Sequence, residues 1–359
     1  MLIDDGRLVM DDAAISAGNR SLNTLKRNLT QLVENTRNYL GLLRKRPIEE
    51  AYEKLILGGQ PGPQLPNYGD DAAVIPWKDG YLLLAADGMM TRLLVNEPYA
   101  AGKAAVMVTV NDIYAMGGRP LAMVNVLASG DDAHRSKVID GIRKGCEKLQ
   151  VPMVGGHLHP DAPSEAPSLS VAILGHATKL LRSHLAAPGD DLIFAADLSG
   201  QVGCHSVVSW DANSGKTPAE LIHRLEVLPI IAEKEWAYAC KDVSNAGLLG
   251  TLSIMMENSG RGADIDLDAV PCPPQLGILD WMVSFQSYGF ILSVNPENSG
   301  SVIDLFRERR IHAGVVGRVT DQRQVTIRSG SDSETVFDFT QDKITGITCP
   351  FDQQTTGMG

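Results

Sequence analysis

Positive charge is scarce in this chain. Its 32 Lys and Arg residues stand against 43 Asp and Glu, for a formal charge of −11 at pH 7. A nucleic-acid partner needs a basic face, so the balance argues against that class of partner. Cysteine is also sparse: Cys146, Cys204, Cys240, Cys272 and Cys349 are scattered, odd in number, and form no C-x-x-C. Neither a disulfide framework nor a structural zinc site is predicted, and reduced thiols in a cytoplasm are expected. No apolar stretch reaches the roughly 18 residues that cross a bilayer, so no membrane partner is expected. The opening Met1-Leu2-Ile3-Asp4-Asp5 is acidic and lacks the apolar core of a signal peptide. No Walker A pattern occurs, and Gly59-Gln60-Pro61-Gly62 does not replace it.

What remains is a globular composition, 44% hydrophobic and 21% charged. At 359 residues the chain is long for one core, and two domains are the default. A heptad-like stripe starts at Ser21, with Leu22, Leu25, Leu29, Leu32, Tyr39 and Leu43. It predicts a helix laid either on the protein's own core or on a partner subunit. Pro47 ends it, and Gly58 to Pro63 is a loop. We divide the chain into a helical extension (1–66), a first domain (67–180), a second domain (181–330) and a weakly patterned tail (331–359). The pattern predicts strands over 81–86, 120–128, 151–154, 169–174, 290–294 and 313–319. It predicts helices over 101–116, 132–149, 218–225, 245–257 and 299–309. The fold class is α+β, a mixed α/β chain.

Acidic and amide residues recur in small-residue settings. They are Asp70 and Asp71 after Gly69, Asp87 before Gly88, and Asn111-Asp112 inside the 101–116 helix. That helix is apolar nearly all round, so it is expected to be buried. Asn111 and Asp112 then need partners or a cation. Three carboxylate segments converging without basic neighbours repel one another unless a hard cation such as Mg²⁺ bridges them, usually together with phosphate oxygens.

The motif order resembles the AIR synthase-like ATP-binding superfamily, in its AIR synthase-related branch, from about Gly69 to Val319. Gly69-Asp70-Asp71-Ala72-Ala73 looks like the first metal loop and Ala86-Asp87-Gly88 like the second. Asn111-Asp112, running on to Met116-Gly117-Gly118-Arg119-Pro120, is similar to the Asn-Asp helix. Gly155-Gly156-His157 sits where a Gly-Gly-Asp/Glu-Thr loop belongs, and Lys241-Asp242-Val243-Ser244-Asn245 resembles an Asp-x-Ser-Asp-Gly segment. Two positions depart from the pattern: His157 and Asn245 stand where carboxylates are usual.

The resemblance implies a two-domain fold whose first sheets join into a barrel in a homodimer, with ATP at the junction. It implies Asp70, Asp71, Asp87 and Asp112 as Mg²⁺ ligands. It implies Gly69, Asn111, Gly155, Gly156, His157, Lys103, Asp242 and Asn245 as nucleotide contacts. His157 and His159 alternate along an extended loop, so one of them faces the site, His157 being the better candidate. The implied activity is phosphorylation, or transient activation, of an oxygen on a small-molecule substrate. The alternatives are a nucleotide-binding regulatory subunit without turnover and a scaffold that keeps the fold alone. No general base stands out.

Overall fold

A computed structural model describes residues 29–55 and 69–348. The start of the 21–43 stripe, the 58–63 loop and Cys349 lie outside these. The first sheet has the order β1-β2-β5-β3-β4. Its strands are β1 (Ala73–Trp77), β2 (Gly80–Gly88), β3 (Arg119–Ala128), β4 (Met153–His159) and β5 (Ser168–Ala177). All neighbours are antiparallel except β3 and β4, which are parallel. Helix α4 (Thr91–Asn96), helix α5 (Pro98–Ala115) and helix α6 (Asp132–Leu149) cover one face.

Helix α5 is buried nearly all round, as its composition predicts. Its backbone meets that of α6 directly. A Cβ on Gly102 would strike the Val138 carbonyl, and one on Gly141 the Tyr99 carbonyl. Helix α6 is capped by Asp131, whose carboxylate accepts from the His134 N–H at 2.8 Å, and stops at left-handed Gln150.

The second sheet has seven strands in the order β14-β13-β10-β12-β6-β11-β9. They are β6 (Asp191–Ala196), β9 (Ala239–Asp242), β10 (Gly262–Asp266), β11 (Gly289–Val294), β12 (His312–Thr320), β13 (Gln324–Ser329) and β14 (Asp332–Asp338). A small hairpin pairs β7 (Gln201–Val202) with β8 (Trp210–Asp211). Helices α7 (Pro218–Leu225), α8 (Val227–Glu233) and α11 (Pro296–Glu308) join the core of the first unit. Helices α9 (Gly247–Ser259) and α10 (Ile278–Val283) pack in a second core.

Strand β6 shows how the units join. Alternate side chains leave opposite faces of a strand. Ile193 and Ala195 enter the core shared with α5, while Leu192, Phe194 and Ala196 enter the other. The two units are therefore not separate cores tied by a linker. One hydrophobic interior runs from the first sheet's helices to one face of the second sheet.

Two expectations need correction. The helix over 29–37 (α1) does lie on the protein's own core, with Leu29 and Leu32 buried in the second core. It does not continue to Leu43. Tyr39 is extended, a short helix α2 (Leu40–Leu43) follows, and helix α3 (Ile48–Leu55) starts after Pro47. The break lets Gly41 sit where a Cβ would strike the Asn245 carbonyl. Nor is the chain after 331 a tail: β14 closes the second sheet. Beyond it, the buried Glu257 carboxylate accepts from the N–H groups of Ile344 and Thr345, both at 2.8 Å, and from the Thr345 hydroxyl at 2.6 Å. Among the described residues no helix is long and apolar enough to cross a membrane.

Glu257→Ala removes the acceptor from several buried donors. It should cost at least about 2 kcal/mol and open the segment around Lys343 to trypsin. Urea unfolding and limited proteolysis check this; unchanged stability together with a protected Lys343 would contradict the anchoring role.

Candidate functional site

Three chain segments bound a cleft of about 220 Å³: Arg44 and Lys45 after α2, Asp87 and Asp112 of the first unit, and Asp242, Asn245 and Ser287 of the second. Met89, Met90, Leu93, Val108 and Phe285 give it an apolar side. Beside it, carboxylate oxygens of Asp71, Asp112 and Asp242 lie within 4.8 Å of one another. Ligand oxygens on opposite sides of one Mg²⁺ are about 4.2 Å apart. Shifts of under about 1 Å would close this set on a magnesium-sized ion.

The carboxylates are electrostatically frustrated. Burial lifts the Asp112 carboxyl well above its ordinary range; Asp242, Asp71 and Asp87 add to this, and Lys241 opposes it. Burial and then Asp71 push Asp242 up to about 7, against a hydrogen bond from Ser287 and the charge of Lys241. Burial also raises Asp71 and Asp87. Asp87 is exposed at the cleft wall, where solvent screening offsets part of its rise.

Basic neighbours do exist, contrary to the sequence-based expectation. The Lys241 ammonium pairs with Asp71, and that attraction outweighs burial to hold Lys241 in its charged form. Lys45 stands near Asp71, Asp87 and Asp242; burial and the charge of Lys241 lower its pKa against them. Four carboxylates thus face two ammonium groups, with the Arg44 guanidinium also on the cleft wall. The excess of negative charge, the hard oxygen donors and their spacing fit a divalent cation.

The structure separates Asp70 from Asp71. Successive side chains point apart here: Asp70 is fully enclosed and pairs with Arg182 at 2.5 Å, and it accepts from the Ser183 hydroxyl at 2.7 Å. His184 stands 3.7 Å away, too far for a hydrogen bond, and acts through space. Burial alone would raise the Asp70 carboxyl, but His184, Arg182 and Ser183 bring it down to about 2. Asp70 therefore ties the loop to the second unit, and its oxygens are not among the clustered set of Asp71, Asp112 and Asp242. Gly69, at φ +93°, makes the turn, and its carbonyl accepts from Asn258 at 2.8 Å.

Other expected residues also fall elsewhere. Asn111 is buried and gives its amide to the Ser287 carbonyl. Ser287 in turn donates its hydroxyl to Asp242. Gln286 and Ser287 are both left-handed, at φ +82° and +54°. Such conformations persist only where their surroundings hold them. Asn111 thus positions an Asp242 neighbour and is not among the residues that line the cleft.

Lys103 lies nine residues before Asp112 on α5, roughly 13 Å along the axis, and bonds the Ser214 hydroxyl at 2.7 Å. Gly155, Gly156 and His157 belong to strand β4, not to a loop. Register places Asp87 opposite Val171, Val171 opposite Asn125, and Asn125 opposite Gly156. Gly156 is thus three strands, roughly 14 Å, from Asp87. His157 and His159, two apart on a strand, share a face, and their ring centroids are 4.4 Å apart. The expectation that only one could face a given side was wrong, because side chains repeat every second residue. Asn245 does reach the cleft, where its amide nitrogen lies 3.5 Å from Met90 Sδ.

Residues 69–177 match the family described as AIR synthase related protein, N-terminal domain, and residues 187–330 match its C-terminal domain, so the chain belongs to the AIR synthase-related family. The uncharacterized protein sll0787 of Synechocystis sp. is 37% identical over 324 residues, covering 89% of this chain and 99% of that protein. Phosphoribosylformylglycinamidine synthase II of Thermotoga maritima has the same fold, with a TM-score of 0.67 at 20% identity, over 81% of this chain and 48% of that one. The chain thus spans about half of that enzyme. AaThiL, solved with AMPPCP and TMP, gives a TM-score of 0.61 at 18% identity, over 80% of this chain and 96% of its own.

The site has a measurable pH signature without metal. An unfolded carboxyl titrates near 4, whereas Asp242 in the fold titrates at about 7. Between these values the fold binds more protons than the unfolded chain, so stability falls as pH rises. Asp70, at about 2, gives the opposite slope below about pH 4. In chelator, Tm should therefore fall by a few degrees between about pH 5 and 8. Mg²⁺ should flatten this fall, and Asp112→Asn should raise the apo Tm at pH 8. Differential scanning calorimetry decides; a metal-free Tm that rises across that range contradicts the assignment.

Proposed function

We propose that this chain is an ATP- and Mg²⁺-dependent enzyme that phosphorylates, or transiently activates as a phosphate ester, an oxygen of a small-molecule substrate. The observation that carries this reading is the set of Asp71, Asp112 and Asp242 oxygens within 4.8 Å of one another. Asp71, Asp112, Asp242 and Asp87 would hold Mg²⁺. Mg-nucleotide, when bound, supplies the transferable phosphoryl group and neutralises its charge. The chain's own groups position and exclude. Lys241 holds Asp71, and Ser287 holds Asp242. Lys45 offers an ammonium beside the carboxylates that phosphate oxygens could take over. The apolar side, Met89 to Phe285, suits a base or an organic substrate and keeps water from the reacting oxygen. T. maritima PurL, a neighbour in fold, has been solved complexed with ATP, which supports the nucleotide half of this reading.

We assign the chain to a reducing cytoplasm, in keeping with its free Cys146, Cys204, Cys240 and Cys272. We also propose a homodimer through the bare face of the first sheet. Ile75, Trp77, Leu84, Leu121, Val124 and Val126 are all more than 40% exposed there. An apolar face that large on a sheet marks an interface.

Calorimetry should give saturable Mg-ATP binding that chelator abolishes, with phosphate release on adding the right acceptor. Asp112→Ala should lose binding and keep the fold. Equal affinity for ATP in chelator would sink the metal-bridged site. For the dimer, Val124→Glu with Val126→Glu should halve the mass seen by light scattering; a wild-type monomer would refute it.

A further inference from the structure

The cleft leaves a concentration of positive charge in the second unit unused. A second cavity, of about 800 Å³, opens in the second unit between α7 and α11. Lys216, Arg224, Arg307, Arg310 and His312 line it, with Glu220 the one carboxylate of its wall. Lys216 and Arg224 are both held by Asp197, Lys216 at 2.9 Å, and their side chains are only 10% and 12% exposed. One buried carboxylate thus fixes two cations in place and leaves a positive charge over. Arg310, left-handed at φ +60°, has no ion-pair partner among the described residues and meets Glu220 only through space. Arg307 reaches Asp304 at 2.6 Å on the solvent side.

The loop before α7 is built by more lysines. Lys103 of α5 donates to the Ser214 hydroxyl at 2.7 Å. Lys148 of α6 donates to the carbonyls of Lys216 and, at 3.4 Å, Asn213. Burial first, then the charges of Lys103, Lys144 and Lys216, lower the pKa of Lys148. Asp211 pairs with Lys103 at 3.3 Å, yet the lysines and arginines gathered here still outnumber the carboxylates beside them, and that costs stability unless an anion is present. Lys103 contributes by shaping this loop, at the opposite end of α5 from Asp112.

We propose that this cavity binds a phosphate monoester directly, without metal, through Arg224, Arg310 and Lys216. Two guanidinium groups and an ammonium come from α7, the end of α11 and the loop before α7. Guanidinium forks match phosphate oxygens in pairs, and three donors on different sides suit a tetrahedral dianion better than a planar carboxylate. The volume lies within the range of small-molecule sites, so there is room for the organic part of the ester. The site stands independently of the acidic cleft.

Phenyl phosphate and inorganic phosphate, titrated calorimetrically into the full chain in EDTA, test it, because chelator silences any metal-bridged phosphate binding. The expected result is saturable binding that prefers phosphate to malonate. Arg310→Gln, at an exposed position, should weaken it by about tenfold, with Tm unchanged. Arg224→Gln should abolish it, while Asp112→Asn, in the other site, should leave it intact. No saturable binding, equal or better binding of malonate, or wild-type affinity in Arg310→Gln would each overturn the proposal.

Discussion

The structure turns on a surplus of buried negative charge at the meeting point of three chain segments. Asp71, Asp112 and Asp242 come from a loop before β1, from a buried helix and from the end of β9. None of these would be brought together by local propensity. Their repulsion is tolerated because hydrophobic burial on both sides of β6 and β11 fixes the frame independently. Roughly 25 cal/mol per Å² of buried apolar surface, summed over two cores, outweighs the penalty of a few raised carboxyls. The fold can therefore store an unsatisfied site and let a ligand complete it.

The pairing of Asp70 with Asp71 shows how the frame and the site share one motif. Both follow a left-handed glycine. One turns inward to Arg182 and Ser183 and becomes structural; the other turns to Lys241 and the cluster. Two adjacent carboxylates in a metal-loop pattern read alike in sequence. Only the positions of Arg182 and Lys241, over a hundred residues downstream, distinguish them.

Much of the frame was legible. Helices α5 and α6 were readable because one is apolar all round and the other has a clear stripe with a capping Asp. Strands β2, β3, β5, β11 and β12 were readable from apolar runs. β14 was not, because Asp332–Asp338 alternates polar residues at a sheet edge. β4 was cut short at 154, and the rest read as a loop, because its glycines and histidines lack strand propensity and are exposed. In the site, Asp112 was legible as a polar residue in a buried apolar helix, and Asp242 only through the motif it shares with Ser244 and Asn245, as a nucleotide contact and not as a member of the carboxylate set. Lys241 carried the same signal, a lysine in the wholly buried β9, and could have been found by it. Lys45 could not: it lies in a charged stretch, and only the break at Tyr39 carries that stretch to the cleft.

The two cavities divide the protein's charge between them. One concentrates carboxylates with two ammonium groups, and the other concentrates guanidinium and ammonium groups around Asp197. Helix α5 runs between them, with Asp112 toward one and Lys103 supporting the other. Its apolar body, packed against both sheets, separates the charge clusters by roughly 13 Å of low-dielectric interior. Lys103 is already paired with Asp211 at 3.3 Å, so little of its charge is left to act on Asp112 across that interior. The helix therefore keeps the two sites distinct, and each can be filled without the other.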